Sequence, residues 1–387
     1  MKCRPGLVSL LIMLVAVVSG CRAGGSDGVL DPGAVAAGEK PADTTPATGG
    51  TVGSGPVRIA VLLPSAGTGA VADSARDVRD GITMAVDDLG SDVLTVVFED
   101  QSAGGNPKQT ALETMGQGVA AIVGPLEAGA AAQVSTIKGG KLKPVFLLAE
   151  GVQGNTTIYS VLLQSGTSAA AGASAVAKNG ARDFVLLTPA GSTAAATERA
   201  VDLAVTNHGG RLAAKARFGS EKASLVSAVG AVFDVVNAPD AVVIAGGAFD
   251  PAAIVEAVRA RSPNAKIIAN SSWVSSGRLG PELDGVLIAD LDKSELQPVA
   301  ARFRARFGHE FDALAAYSYD VIALSSGIAR AVGREGFARS IIEDGKGFRG
   351  STGIFRFRSD GTSERLLALH RVENGKLRRI EAPPKLF

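Results

Sequence analysis

Short apolar runs alternate with stretches of helical periodicity from position 56 onward. VRIAVLL (57–63), LTVVFED (94–100), AAIVG (120–124) and PVFLLAE (144–150) are apolar enough to be buried strands. Between the first two, Val78, Ile82, Ala85, Val86 and Leu89 fall on one face of a helix. Strand, helix, strand at this spacing predicts parallel βαβ units. The alternation restarts after residue 163, with DFVLLTP (183–189), RLAAKARF (211–218), AVVIAGG (241–247), AKIIA (265–269) and GVLIAD (285–290) as strands. Ala-rich helices near 192–207, 221–235 and 250–261 separate them. From about 293 the chain turns helical: Val299, Phe303 and Phe307 recur every four residues, and Ala315 to Val332 makes a longer apolar helix. The tail alternates again, and its SDG and ENG turn signals predict a terminal β-hairpin or meander. This order predicts an α/β fold of two doubly wound, Rossmann-like lobes with an interlobe cleft. The expected boundaries are 56–163 plus 291–344 for the first lobe and 164–290 plus 345–387 for the second.

The front of the chain follows a different pattern. Lys2 and Arg4 precede an apolar run at 7–18, LVSLLIMLVAVV, too short to span a bilayer, which needs about 20 helical residues, but suited to a secretory signal core. Val18-Ser19-Gly20-Cys21 resembles a bacterial lipobox, so residues 1–20 are expected to be a lipoprotein signal peptide and Cys21 the lipidated residue. A lipid there would anchor the protein without a membrane span. Arg22 follows, where many envelope lipoproteins retained in the inner membrane carry Asp, and that resemblance favours the outer membrane. Residues 21–55 are rich in Gly, Ala, Pro and Thr without periodicity, the composition of a flexible tether.

Composition narrows the partners. The 387 residues hold 39 Lys+Arg against 38 Asp+Glu with no basic block, which excludes a phosphate-binding surface for nucleic acid. Cys3 would leave with the signal, so the mature chain has no thiol besides Cys21 and no internal disulfide. Gly67 to Ala72 fits G-x-G-x-x-A, yet Pro64-Ser65-Ala66 separate it from the strand and the acid expected about 20 residues on is missing, so a βα turn is expected and no cofactor. His208, His309 and His370 are scattered, and no second His follows His309-Glu310 at metal spacing. No catalytic set and no metal site emerge, and the expectation is a protein that is not an enzyme.

Several stretches carry a family resemblance. RIAVLLPSAG (58–67), IVGPLEAGAA (122–131), PVFLLAEG (144–151) and YSYDVIALSSGIARA (317–331) resemble, in order and spacing, type I periplasmic solute-binding proteins of the leucine/isoleucine/valine-binding family. The resemblance covers about 57–375 and implies a cleft that closes on a small polar or amino-acid-like ligand for uptake through an ABC permease. Amino-acid-binding members hold the substrate carboxylate with a hydroxyl after the G-P loop; here the loop reads Glu127-Ala128-Gly129. The ending GSTGIFRFRSDGTSERLLALHRVENGKL, then EAPPKLF, resembles lipoprotein activators of penicillin-binding proteins, which implies an alternative: outer-membrane regulation of a bifunctional peptidoglycan synthase.

Position at strand ends singles out Ser65, Gly67, Glu127, Glu150, Ala248 and Trp273 as ligand-binding candidates. Glu127 and Glu150 would make a negative wall suited to a cationic or amine-bearing ligand; alternatively Glu127 caps a helix and Glu150 is solvated. Trp273, beside Asn270, Ser271 and Ser272, is either the apolar floor of a cleft or ordinary packing.

Overall fold

A computed structural model describes residues 49–387 apart from 66–67, 140–141, 150–151, 153–154 and 248. The signal peptide, Cys21 and nearly all of the expected tether lie outside the described residues, as do Gly67, Glu150 and Ala248.

The first sheet contains β1 (Thr51–Val52), β2 (Val57–Leu63), β3 (Leu94–Asp100), β4 (Ala121–Val123), β5 (Val145–Leu147) and β6 (Ile158–Ser160), in the order β1-β3-β2-β4-β5-β6. β2 through β6 are parallel. The two-residue side-chain period sends Ile59, Val61 and Leu63 to one face, against α1 (Ala70–Ala85), and Ala60 and Leu62 to the other, against α2 (Pro107–Gly116) and α3 (Ala128–Val134). Strands covered on both sides are apolar at every position, hence the unbroken runs in the sequence. β1 corrects the expected tether limit of 55. Thr51–Val52 pairs antiparallel with Val96–Val97, and the Gly49 N–H reaches the Phe98 carbonyl at 2.9 Å. Without it β3 would be an open edge of the sheet, and this segment pairs with that edge.

The second sheet begins after α4 (Ser165–Lys178), with β7 (Asp183–Pro189), α5 (Ala194–Thr206), β8 (Arg211–Phe218), α6 (Lys222–Val235), β9 (Ala241–Ile244), α7 (Pro251–Arg261), β10 (Lys266–Ala269), α8 (Ser272–Ser275) and β11 (Leu287–Asp290). Val185, Leu187, Val242 and Ile244 face α6 and α7, while Phe184, Leu186, Ala241 and Val243 face α4 and α5. The chain then returns to the first lobe as α9 (Lys293–Phe307) and α10 (Ala313–Val332). α10 lies close on α1 because Gly81 has no side chain: a Cβ there would come within 2.4 Å of the Ala315 carbonyl oxygen. The antiparallel strands β12 (Phe348–Gly350), β13 (Gly353–Phe357) and β14 (Ser363–Arg365) follow, and β15 (Ala368–Glu373) and β16 (Lys376–Glu381) complete the second sheet as β16-β15-β11-β10-β9-β7-β8.

Both turn signals of the tail close hairpins, in different sheets. Asn374 (φ 51°) and Gly375 (φ 70°) make the β15–β16 turn in the left-handed region that Asn-Gly tolerates. The boundary expected at 345 moves, however. Phe355 and Phe357 are buried in the first lobe's core beside Phe146 and Tyr159, so the chain changes lobes between Arg365 and Ala368. An alternating strand fits either core, and the aromatic partners decide. Among the described residues, no helix is long and apolar enough to cross a membrane.

Candidate functional site

The chain changes lobes at three places: from β6 to α4, from β11 to α9, and from β14 to β15. It leaves the first sheet at the carboxyl end of β6 and the second at the carboxyl end of β11. Both sheets therefore present the carboxyl ends of their parallel strands at the junction, where open α/β sheets bind ligands.

The first lobe's edge of this junction is polar and acidic. β2 and β3 run in register with Leu63 opposite Asp100, which brings the residues after both strands together. The Ser65 hydroxyl donates to the Asp100 carboxylate, which also accepts the Ser102 N–H at 2.9 Å. The next residue, Gln101, is only 3% exposed; its Nε2 donates to the Glu127 carboxylate, and its buried Oε1 finds no hydrogen-bond partner among the described residues. Glu127 is exposed and precedes α3, but its side chain makes no capping hydrogen bond and turns to Gln101 instead. Ser65 and Glu127 are thus brought to neighbouring loops, linked through Asp100 and Gln101. Sequence reading passed over those last two, although their place at a strand end was the same signal that selected Ser65.

Trp273 lies elsewhere in chemical terms. It is 0% exposed, its Nε1 donates to the Gly246 carbonyl at 2.8 Å, and it meets Phe249 edge-on with ring centroids 6.0 Å apart. The indole fills the second lobe's core. Beside it Asn270, also fully buried, donates to the Ile244 and Gly246 carbonyls at 3.2 and 2.9 Å, which ties the loops after β9 and β10. The histidines are dispersed: His208 faces Ser174, His309 sits between Asp77 and Asp80, and His370 is buried on β15.

The crossing segments meet at a buried polar hub that no sequence pattern announced. Arg365 and Asp320, both nearly inaccessible, stand 3.8 Å apart. Asp320, on α10, accepts the Ser351 N–H at 2.5 Å, the Ser351 hydroxyl at 2.8 Å, the Thr352 N–H at 3.1 Å and the Thr352 hydroxyl. Arg365 donates to the Thr352 hydroxyl and, at 3.0 Å, to the Val161 carbonyl, while its guanidinium lies over the rings of Tyr317 and Phe355. Burial pushes the Tyr317 phenol up to about 12, and it pushes the Asp290 carboxyl, at the end of β11, up to about 6. The hub closes so tightly on Gly350 that a Cβ there would meet the Asp320 carboxyl carbon at 2.4 Å.

Comparison with known proteins follows the same outline. The periplasmic binding protein family matches residues 56–376. A search of curated proteins finds no match. Among solved structures, the chain is similar to an ABC transporter substrate-binding protein from Sphaerobacter thermophilus at 18% identity and a TM-score of 0.62, covering 84% of this chain and 96% of that one. It is similar to a leucine-binding protein from Thermotoga maritima at 22% identity and a TM-score of 0.56, covering 84% and 98%. A solute-binding protein of an ABC transporter from R. palustris, in complex with benzoate, shares 17% identity at a TM-score of 0.57, covering 84% and 96%.

Proposed function

The chain belongs to the periplasmic binding protein family, and from that premise we propose that it is a non-catalytic, lipid-anchored solute-binding protein of the leucine-binding type. In this reading it takes a small polar or amino-acid-like ligand into the interlobe cleft and delivers it to an ABC permease. One observation carries the reading: the strands of both sheets end at the junction that three short crossing segments span. That arrangement lets two rigid lobes rotate together over a ligand held between their loops. The polar loops around Ser65 and Glu127, outside the apolar cores, supply hydrogen-bonding groups on the first lobe's side. Cys21 would hold the protein at a cell-envelope membrane, and Arg22 favours the outer one.

The test is a thermal-shift screen of the purified full-length protein against amino acids, aromatic carboxylates, amines and peptidoglycan fragments, with small-angle scattering to register closure. A ligand present at 100 times its dissociation constant adds about 2.7 kcal/mol to stability. A saturable shift with a smaller radius of gyration supports the reading. No shift, together with retention of a bifunctional penicillin-binding protein from envelope extracts, would replace it with the synthase-activator reading that the C-terminal ending suggests.

A further inference from the structure

We infer that the first-lobe side of the cleft is a receptor for a cationic group, so that the ligand carries an ammonium, amidinium or guanidinium without a carboxylate beside it. The inference rests on the solute-binding reading and specifies its ligand class.

Asp100 ends β3 and Glu127 follows β4, the two strands that flank β2, and the two carboxylates accept hydrogen bonds from Ser65 and Gln101 respectively. Both links come from neutral donors, and neither carboxylate is ion-paired with Lys, Arg or His among the described residues. Elsewhere this protein pairs its carboxylates readily: Asp88 with Arg302, Asp92 with Arg330, Glu198 with Lys215 and Arg217. Two unneutralised carboxylates on adjacent loops repel one another and any further anion.

A second observation is independent of charge. Gln101 is 3% exposed, yet its Oε1 is buried without a donor among the described residues, while the other arm of the same amide contacts Glu127. Buried acceptors are ordinarily satisfied, so an orphan at the margin of a cleft points to a donor supplied from outside. An N–H-bearing cation matches both features: its charge offsets part of the negative charge of Asp100 and Glu127, and its N–H groups supply the kind of donor that Gln101 Oε1 lacks. A carboxylate matches neither, since it brings only acceptors to a place already crowded with them.

The position of these loops adds weight. β2 lies between β3 and β4, so the chain leaves it toward one neighbour and returns on the other side. Such a reversal is where open α/β sheets bind ligands, and Ser65, Asp100, Gln101 and Glu127 lie at or just after the carboxyl ends of β2, β3 and β4 around it.

The experiment uses charge-matched probes on the full-length protein by calorimetry: leucinamide, leucine and 4-methylpentanoate as one set, benzylamine and benzoate as another, putrescine and succinate as a third. The expected result is binding by amine members only, weakened at least tenfold in Glu127→Gln and in Asp100→Asn. Because Glu127 is exposed, Glu127→Gln is expected to keep the wild-type urea midpoint, which separates lost binding from lost folding. Binding by the carboxylate members, unaffected or strengthened in Glu127→Lys, would overturn the inference and leave the solute-binding reading standing. Binding of nothing in these sets or in the wider screen would overturn both.

Discussion

Replacing Asp290 with Asn isolates the energetic cost of a carboxyl placed where the second lobe hands the chain back to the first. Asp290 ends β11 opposite Ala368 of β15, half-buried and close enough to Tyr317 to raise that phenol as well. Desolvation pushes its carboxyl from the ordinary 3.8 up to about 6, outweighing the Leu291 N–H and Lys293, which pull it down. The folded protein therefore holds this proton over a pH range in which the unfolded chain has released it. Stability is free of the cost below about pH 4, falls as pH rises through the window from 3.8 to about 6, and stays reduced above it. Two pH units at 1.36 kcal/mol each make the cost about 3 kcal/mol at neutral pH. Asn has the same shape, accepts the same backbone N–H and never ionises. Asp290→Asn is therefore expected to match the wild type near pH 4 and to exceed it by up to about 3 kcal/mol at pH 8. Urea unfolding at pH 4 to 8, followed by the fluorescence of Trp273, measures this in the lobe that contains both residues. An equal difference at every pH, or a variant less stable than the wild type at pH 8, would refute the reasoning.

Other outcomes test the remaining parts of the architecture. Arg365→Met removes the cation from the hub and strands a buried Asp320, a change expected to cost about 3–5 kcal/mol in chemical denaturation; a loss below 1 kcal/mol would mean the hub is hydrated. Trp273→Ala opens a cavity in the second core and should cost about 3–5 kcal/mol, with Trp273→Phe recovering much of it because the contact with Phe249 survives. Cys21→Ser is expected to move the protein from the membrane fraction to the soluble periplasmic fraction, as read by fractionation and by mass spectrometry of the N-terminus.

The parallel core was legible because burial on both faces leaves a plain record. Strands such as 57–63, 94–100 and 183–189 begin and end where the apolar runs do. α4 left no comparable trace: SGTSAAAGASAVAK holds almost no large apolar residue, since it packs through smallness, with Gly172 so near Ile268 that a Cβ would come within 2.7 Å of it. The strands at 353–365 were recognisable as strands but were assigned to the second lobe, because their partners Phe146 and Tyr159 lie some 200 residues earlier and leave no local signal. At the site, strand ends pointed to Ser65 and Glu127 and would have pointed equally to Asp100 and Gln101, but that the four act together is seen only in the β2–β3 register and the Gln101–Glu127 contact. Trp273 shows the opposite limit. A lone aromatic beside polar residues has the same sequence signature at a cleft and in a core, and its neighbours Phe249 and Gly246 put it in the core. Arg365, in an alternating and charged stretch, reads as a surface residue until Asp320 is placed against it.

In the solute-binding reading, the hub and the second lobe's own ties define where closure would occur. Arg365 holds Val161 and the β12–β13 turn together on the first-lobe side, so two of the three crossing segments leave that lobe from one braced point. On the second-lobe side, the Ser168 hydroxyl donates to the Ala289 carbonyl at 2.6 Å and accepts the Ser271 N–H at 2.8 Å, which fastens α4 to β11 and β10. β11 is in turn paired with β15 from Leu287 to Asp290. The links between the elements of the two lobes are residues 161–164, 291–292 and 366–367. Segments this short cannot stretch, so they permit a bend and resist separation of the lobes. Bending would thus be concentrated beside the hub, and a small rotation there would displace the distant loops at Ser65 and Glu127 much further than Arg365. In the solute-binding reading the bonds of Arg365 to Thr352 and Val161 would persist in open and closed states, so a buried ion pair costly to break could sit at the pivot without opposing the motion.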